Sequence, residues 1–299
     1  MQGTVDGFGY GAVTPVASYL TACLGSALGL RCVVRSLHDR RSWKPGWLAL
    51  GAATIGCGIW TMHFIAMTGF RVQGIAIDYD GRLVALSLVL AIAVVGVGVF
   101  AVGYRGADRT TLAAAGIFTG LGVAGTHYLG MAALKLNGAL HYASLTVGLS
   151  VLIAVVAATA ALWTAASYRG FPAALAASLL LGAALSGMHY TGMAALGVRL
   201  HGTSHSSYVA GTYGGGDSPL SILLPMLIGP VVFLVLAGVI VMFDPQLVLG
   251  DGDWGRTAPR RRAVPAVVAE RPVAPSRNDG SLFEPRSHRA GRHTPPRGR

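Results

Sequence analysis

Glutamate is missing from Phe8 to Phe243 of this 299-residue chain; the only two, Glu270 and Glu284, lie near its C-terminus. Charge of either sign is scarce, at 12% of residues against 53% hydrophobic, with a mean hydropathy of +0.57. A soluble domain carries about 25% charged residues. Half that fraction excludes a soluble enzyme and points to lipid as the solvent. The missing carboxylates also exclude carboxylate-rich proton pumps. Cysteine is rare as well: Cys23, Cys32 and Cys57 all fall inside apolar runs, with no C-x-x-C spacing and no disulfide framework.

The charge that is present is unevenly spread. Of the 23 basic residues behind the net charge of +11, the segment Arg256 to Arg299 supplies 11. This Pro/Arg-rich tail, residues 246–299, has too few apolar residues to bury a core and is predicted to be disordered. Its arginines suit a solubilising, topology-fixing strip or a clamp on anionic lipid. They lack the interleaved aromatics of a nucleic-acid binder, so no nucleic acid is expected as partner.

Seven apolar runs are long enough to cross a hydrocarbon core of ~30 Å at ~20 residues each. They are Thr14–Val34, Trp47–Phe70, Leu83–Gly103, Thr111–Leu134, Leu145–Ser167, Pro172–Leu196 and Pro219–Phe243. The expected class is therefore all-α: a polytopic membrane domain over residues 14–245, preceded by a short outer segment, residues 1–13. Basic residues set the orientation. Arg31, Arg35, Arg40, Arg41, Lys44, Arg105, Arg109 and Arg169 fall on one side, and Arg71, Arg82, Lys135 and Arg199 on the other. The first side, joined by the tail, should be cytoplasmic, which puts the N-terminus out and the C-terminus in. No lysine or arginine precedes Arg31, so no cleavable signal peptide is expected.

Laying the even-numbered spans over one another exposes a threefold repeat. His63, His127 and His189 each have a glycine seven residues earlier (Gly56, Gly120, Gly182) and an aromatic ring directly after (Phe64, Tyr128, Tyr190). Each also has a small residue at plus three (Ala66, Gly130, Gly192) and methionine at plus four (Met67, Met131, Met193). Positions four apart share a helix face, so each pair sets an imidazole above a thioether. The small residues let helices approach closely, which turns the histidines inward. Even spans run from inside to outside and carry the motif in their later halves, so the site should lie near the outer surface.

Imidazole with thioether is a soft, uncharged ligand set that suits Cu(I) better than metals that favour oxygen. Three neutral histidines without a carboxylate would leave a divalent ion poorly compensated in lipid. Met62 and Met188 add sulfur directly before two of the histidines. Haem is the second chemical reading, since histidine and methionine both serve as its axial ligands. Against both stands packing: an intramembrane histidine can be an interhelical hydrogen-bonding group, and methionine a gap filler. Three pairs in register favour a shared ligand site. Of the aromatic neighbours Tyr190 is the best candidate for a polar role. His141, His201 and His205 fall in expected outer loops, where they could deliver metal. His38, His288 and His293 fall on the cytoplasmic side, and Cys57, about 240° around the helix from His63, is a poor co-ligand.

With these residues in view, the sequence resembles the MHYT-domain integral membrane sensors of bacteria. Met188-His189-Tyr190-Thr191 spells the signature in full, and Met62-His63-Phe64 and Thr126-His127-Tyr128 are partial copies in the expected even spans. The resemblance covers about residues 10 to 245. It implies a multi-pass protein of the bacterial cytoplasmic membrane that binds copper near the outer face. It also implies sensing of a diatomic gas: oxygen, carbon monoxide or nitric oxide. The ligands carried over are His63, Met67, His127, Met131, His189 and Met193, with Met62, Met188 and Tyr190 secondary. Many members join the domain to a cytoplasmic diguanylate cyclase, phosphodiesterase or kinase. Here a basic tail follows Phe243, so the expectation is no enzymatic activity and output through a separate cytoplasmic signalling partner. A copper-handling transporter and a metal-free structural partner are the two other readings.

Overall fold

Lipid-exposed backbone must satisfy its own hydrogen bonds, and each of the seven apolar runs does so as a helix. The computed structural model describes residues 5–6, 10–38, 44–72, 77–136, 138–167, 171–200 and 219–243. The helices are α1 (Val13–His38), α2 (Lys44–Thr68), α3 (Gly81–Arg105), α4 (Arg109–Ala132), α5 (Ser144–Ser167), α6 (Phe171–Ala194) and α7 (Pro219–Met242). All seven are long and apolar enough to cross a membrane. The all-α, seven-span expectation holds, and the chain is a multi-pass membrane protein. Residues 246–299, to which the tail reading applies, lie outside the described residues.

The helix ends depart from the expected ones where charged side chains find aromatic rings. Helix α1 runs on past Val34 through Arg35, whose guanidinium lies 4.4 Å from the centre of the Trp47 ring. Helix α2 begins earlier, at Lys44, whose ammonium sits 5.3 Å from the Tyr104 ring. Long cationic side chains of this kind extend a helix past its apolar stretch, because the stem stays on apolar surface while the head reaches outward.

Six short strands among the described residues, which the apolar pattern did not announce, close one end of the bundle. They are β1 (Val5–Asp6), β2 (Arg71–Val72), β3 (Asp78–Tyr79), β4 (Leu134–Lys135), β5 (Gly138–Tyr142) and β6 (Leu196–Leu200). The antiparallel pairs are β1 with β2, β3 with β4 and β5 with β6. Each pair joins the segment before an odd helix to the segment after the next even one. The repeat is therefore strand, helix, helix, strand, with its two strands fastening the open end of the hairpin. In the second copy Asp80 tightens the fastening: its carboxylate caps α3 by accepting from the Arg82 and Leu83 amides. It also meets the Lys135 ammonium at 3.1 Å. The Lys135 contact and these amides hold the Asp80 carboxyl below the usual carboxylate range.

Helices α1 to α6 form a ring in sequence order, closed by α1 against α6, and α7 packs outside it on α2 and α1. Glycine sets the closeness of the ring. A Cβ at Gly56 would lie 2.8 Å from the Ile92 Cα of α3, one at Gly120 would overlap Val155 of α5, and one at Gly182 would overlap Cys23 of α1. The glycine seven before each histidine thus seats its even helix on the following odd helix, three times around the ring. Polar atoms repeat the same joint. Trp60 Nε1 donates to Ser87 Oγ of α3 at 3.0 Å, Tyr128 and Ser150 of α5 share a bond of 2.6 Å, and Tyr190 faces Ser18 of α1. Where Phe64 brings no hydroxyl, Trp60 one turn earlier serves α2 instead.

Large exposed apolar side chains, such as Leu86, Leu152 and Leu236, mark the lipid-facing surface on α1 and on α3 to α7, while α2 carries none among the described residues and is mostly buried. Inside the ring two apolar clusters stack along the axis. One, at the strand end, gathers Trp60, Phe64, Tyr79, Met67, Met131 and Leu134, against which Leu223 and Leu227 of α7 pack. The other fills the remaining half with valine, leucine and alanine.

Candidate metal centre

Each even helix places its histidine five residues before its last residue, about 7.5 Å from the strand end at ~1.5 Å per residue. The three rings meet on the axis. His63, His127 and His189 are 5%, 3% and 1% exposed. Their centroids are 4.9 to 5.1 Å apart, with interplanar angles of 79° to 88°, so the rings stand as a three-bladed propeller.

Their Nδ1 atoms point at one another. His63 to His189 and His63 to His127 are each 3.1 Å, and His127 to His189 is 3.4 Å. A neutral imidazole has one N–H and one lone pair. No distribution of protons pairs all three contacts, because at least one always sets lone pair against lone pair or N–H against N–H. Charging a ring instead would place an uncompensated cation among apolar groups. A cation at the centre uses all three lone pairs at once. The point equidistant from the nitrogens lies about 1.9 Å from each, close to the ~2.0–2.1 Å of an imidazole–metal bond. Among the described residues this is the one cluster of three or more histidine, cysteine or carboxylate groups able to share an ion.

A small cavity of about 10 Å³ adjoins the rings, lined besides the histidines by Ile59, Trp60, Met62, Thr126 and Met188. That is room for about one water or one ion. The lining comes from positions one, three and four before a histidine. Side chains on a helix lean toward its N-terminus, so an imidazole faces the turn before its own Cα. The methionines therefore divide. Met62 and Met188 line the cavity, and Thr126 fills the equivalent place in the middle copy with its hydroxyl turned to the Val123 carbonyl at 2.7 Å. Met67 and Met131 are buried in the strand-end cluster, with Met193 packed against it.

The outer edges of the rings have no polar partner: Nε2 of His63 and of His127 is buried and unpaired. If the Nδ1 lone pairs hold an ion, the ring protons sit on Nε2, and these edges become N–H groups lying on apolar surface. Unpaired buried donors of this kind destabilise by ~1–3 kcal/mol each. The aromatic neighbours stand edge-on to their histidines at 4.7 to 4.9 Å, closing the rings off from the following odd helices. Tyr190 is among them, at 4.9 Å from His189, with its hydroxyl toward Ser18 and not toward the triad.

Of the remaining histidines, His141 is exposed in β5 opposite Gly197. His201, His205, His288 and His293 lie outside the described residues. Cys57 is buried on α2 and does not line the cavity. Sequence reasoning missed Ile59 and Trp60 as lining groups. Trp60 left no trace in the repeat, since Ala124 and Ser186 occupy its place in the other copies. Only its distance of three residues before His63 could have pointed to it.

A repeat family described as the bacterial signalling protein N-terminal repeat, MHYT, matches residues 56–115 and 120–178. Each match opens on the glycine seven before a histidine and runs from an even helix into the next one. The bifunctional diguanylate cyclase/cyclic di-GMP phosphodiesterase MucR of Pseudomonas aeruginosa is 38% identical over 191 residues, 62% of this chain and 28% of that protein. The cyclic di-GMP phosphodiesterase NbdA of the same organism is 38% identical over 188 residues, 60% of this chain and 23% of the relative. The signalling protein YkoW of Bacillus subtilis is 25% identical over 190 residues, again 60% of this chain and 23% of the relative. The chain thus spans about a quarter of the length of these relatives. No solved structure matches it.

Proposed function

This chain belongs to the MHYT family of bacterial signalling repeats, and on that premise we propose that it is a membrane sensor holding one Cu(I) between His63, His127 and His189. The observation that carries the reading is the convergence of three Nδ1 atoms within 3.4 Å, which no arrangement of protons satisfies. No carboxylate lines the cavity, which favours a monovalent ion, and the thioethers of Met62 and Met188 favour a soft one. A cavity of about 10 Å³ has no room for a porphyrin, which argues against haem.

When bound, copper supplies a soft centre with affinity for a neutral diatomic such as oxygen, carbon monoxide or nitric oxide. The chain's own residues do the rest. The three imidazoles hold the ion, Met62 and Met188 offer sulfur from the N-terminal side, and Phe64, Tyr128 and Tyr190 keep water from the rings. Helix α2 packs against α1, α3 and α7, so a shift of His63 reaches the outermost helix through one element. A signal requires two packings of these helices with different affinity for the ligand. We take the basic helix ends to face the cytoplasm, the triad to lie near the outer face of the bacterial cytoplasmic membrane, and the output to pass to a cytoplasmic signalling partner. Two relatives are named for cyclic di-GMP turnover, which makes that chemistry the first output to examine. The membrane domain itself is proposed to have no enzymatic activity.

A copper-passing transporter is the competing reading. Beyond Ile59 the ring axis opens into an apolar cavity whose one polar lining side chain is Thr119. The absence of ligands there, among the described residues, argues for a dead-end site.

The test is the metal content of detergent-purified protein beside the variant H63A/H127A/H189A. We expect one copper per chain in the parent and none in the variant, with helicity retained. A Soret band lost in the same variant would move the assignment to haem. Parent protein that takes no copper after reconstitution with Cu(I) under reducing conditions would overturn the metal reading.

A further inference from the structure

Resting on the reading that the triad binds copper, we propose that Gly130 and Gly192 are positioning residues for it. Each is the seat on which a neighbouring helix's imidazole rests with its Nδ1 turned to the common centre.

A Cβ built on Gly130 of α4 would lie 2.6 Å from Nε2 and 3.0 Å from Cδ2 of His63 on α2. One built on Gly192 of α6 would lie 2.5 Å from Nε2 and 3.1 Å from Cδ2 of His127 on α4. The two seats are related by the repeat. Each stands three residues after its own helix's histidine, on the same face, and receives the histidine of the preceding even helix.

Contact with the seat is what fixes these rings. Neither Nε2 has a hydrogen-bond partner, so no polar tether holds the outer edge. The imidazole stops where it meets the bare Cα of the glycine, and that stop leaves Nδ1 at the centre. A methyl group there overlaps the far end of a rotatable side chain and not a backbone. The imidazole yields by swinging about its χ angles, and the helices keep their places. Substitution at a seat therefore removes a ligand while sparing the fold. Two glycines on the same helices provide the control: a Cβ on Gly125 or on Gly187 meets nothing within 4 Å.

The experiment compares the full chain with Gly130→Ala, Gly192→Ala, Gly125→Ala and Gly187→Ala in detergent. Affinity for Cu(I) is read by competition with a chelator, the nitrogen count at copper by X-ray absorption, and folding by circular dichroism. We expect three nitrogen ligands in the parent and two in each seat variant, with at least tenfold weaker binding. The Gly125 and Gly187 variants should stay within twofold of the parent. Seat variants that keep three nitrogens and parental affinity would overturn the proposal, as would equal weakening in the controls. Should a seat variant fail to fold, the other seat decides. The metal-free protein supplies an independent reading: ¹⁵N shifts of the His63 ring should change in Gly130→Ala and not in Gly125→Ala. If the parent takes up no copper, the copper reading fails, and this metal-free comparison still upholds or overturns the seats.

Discussion

The two halves of the helix ring grow from the same three repeats and differ in how they are finished. At the strand end every hairpin is fastened by a pair of strands, the large side chains Trp60, Phe64 and Tyr79 fill the interior, and three imidazoles meet on the axis. In the other half the axis is aliphatic, with valine, leucine and alanine around a cavity of about 40 Å³ lined by all six ring helices. A cavity of that size and lining stays dry, since it offers a water too few polar partners. The end that must hold polar groups in lipid is tied together and closely filled; the end with nothing polar to hold is left loose. Fixing three buried imidazoles within ångströms of one another requires rigid support, whereas an aliphatic interior needs only approximate volume.

The sharpest way to break this contrast, beyond removing the histidines themselves, is to separate the two sets of methionines. If the cavity-side sulfurs complete the site, Met62→Leu with Met188→Leu should weaken Cu(I) binding by ~10–100-fold, the range seen when supporting groups of a metal site are lost. Met67→Leu, Met131→Leu and Met193→Leu together should change it by less than about threefold, because near-isosteric swaps in an apolar cluster are well tolerated. Chelator competition on both sets decides the matter, and the reverse ranking would return the ligand role to the plus-four methionines.

A smaller effect is expected from filling the loose half. Ala158 lines the aliphatic cavity, so Ala158→Val should shift stability by less than ~1 kcal/mol, against ~1–3 kcal/mol for overpacking a filled core. Copper affinity should not change. Thermal unfolding beside metal titration would show whether the two halves are as independent as their construction suggests.

The smallest effect concerns the strand fastening. Asp80 is held below its ordinary pKa of 3.8 first by Lys135 and then by the Arg82 amide. Its contribution is therefore present above the unfolded-state pKa and is lost as pH falls through the lower, folded-state value. Acid unfolding of Asp80→Asn should lack that part of the pH dependence below about 4, while the two proteins differ little between acid and neutral pH profiles in copper content. An identical acid limb in both would remove Asp80 from the fastening.

Much of this was legible in the chain. The seven spans were readable to within a few residues because burial in lipid imposes a long, uninterrupted apolar run. The inward turn of His63, His127 and His189 followed from small residues recurring at fixed offsets on one face. The strands were not readable: most are two residues long, too short to express a period of two. The plus-four methionines were legible as a repeat, yet helical spacing gives a shared face and not a shared cavity. The lean of side chains toward the helix N-terminus brought Met62 and Met188 beside the rings instead.

The solvent, the number of spans, the threefold repeat and the burial of His63, His127 and His189 are written in composition and spacing along one chain. The order of helices around the ring, the convergence of Nδ1 in place of Nε2, and the close approach of His63 to Gly130 and of His127 to Gly192 came from packing in three dimensions. Those depend on contacts between residues some sixty positions apart, where side-chain rotation and the approach of two backbones are settled together by packing.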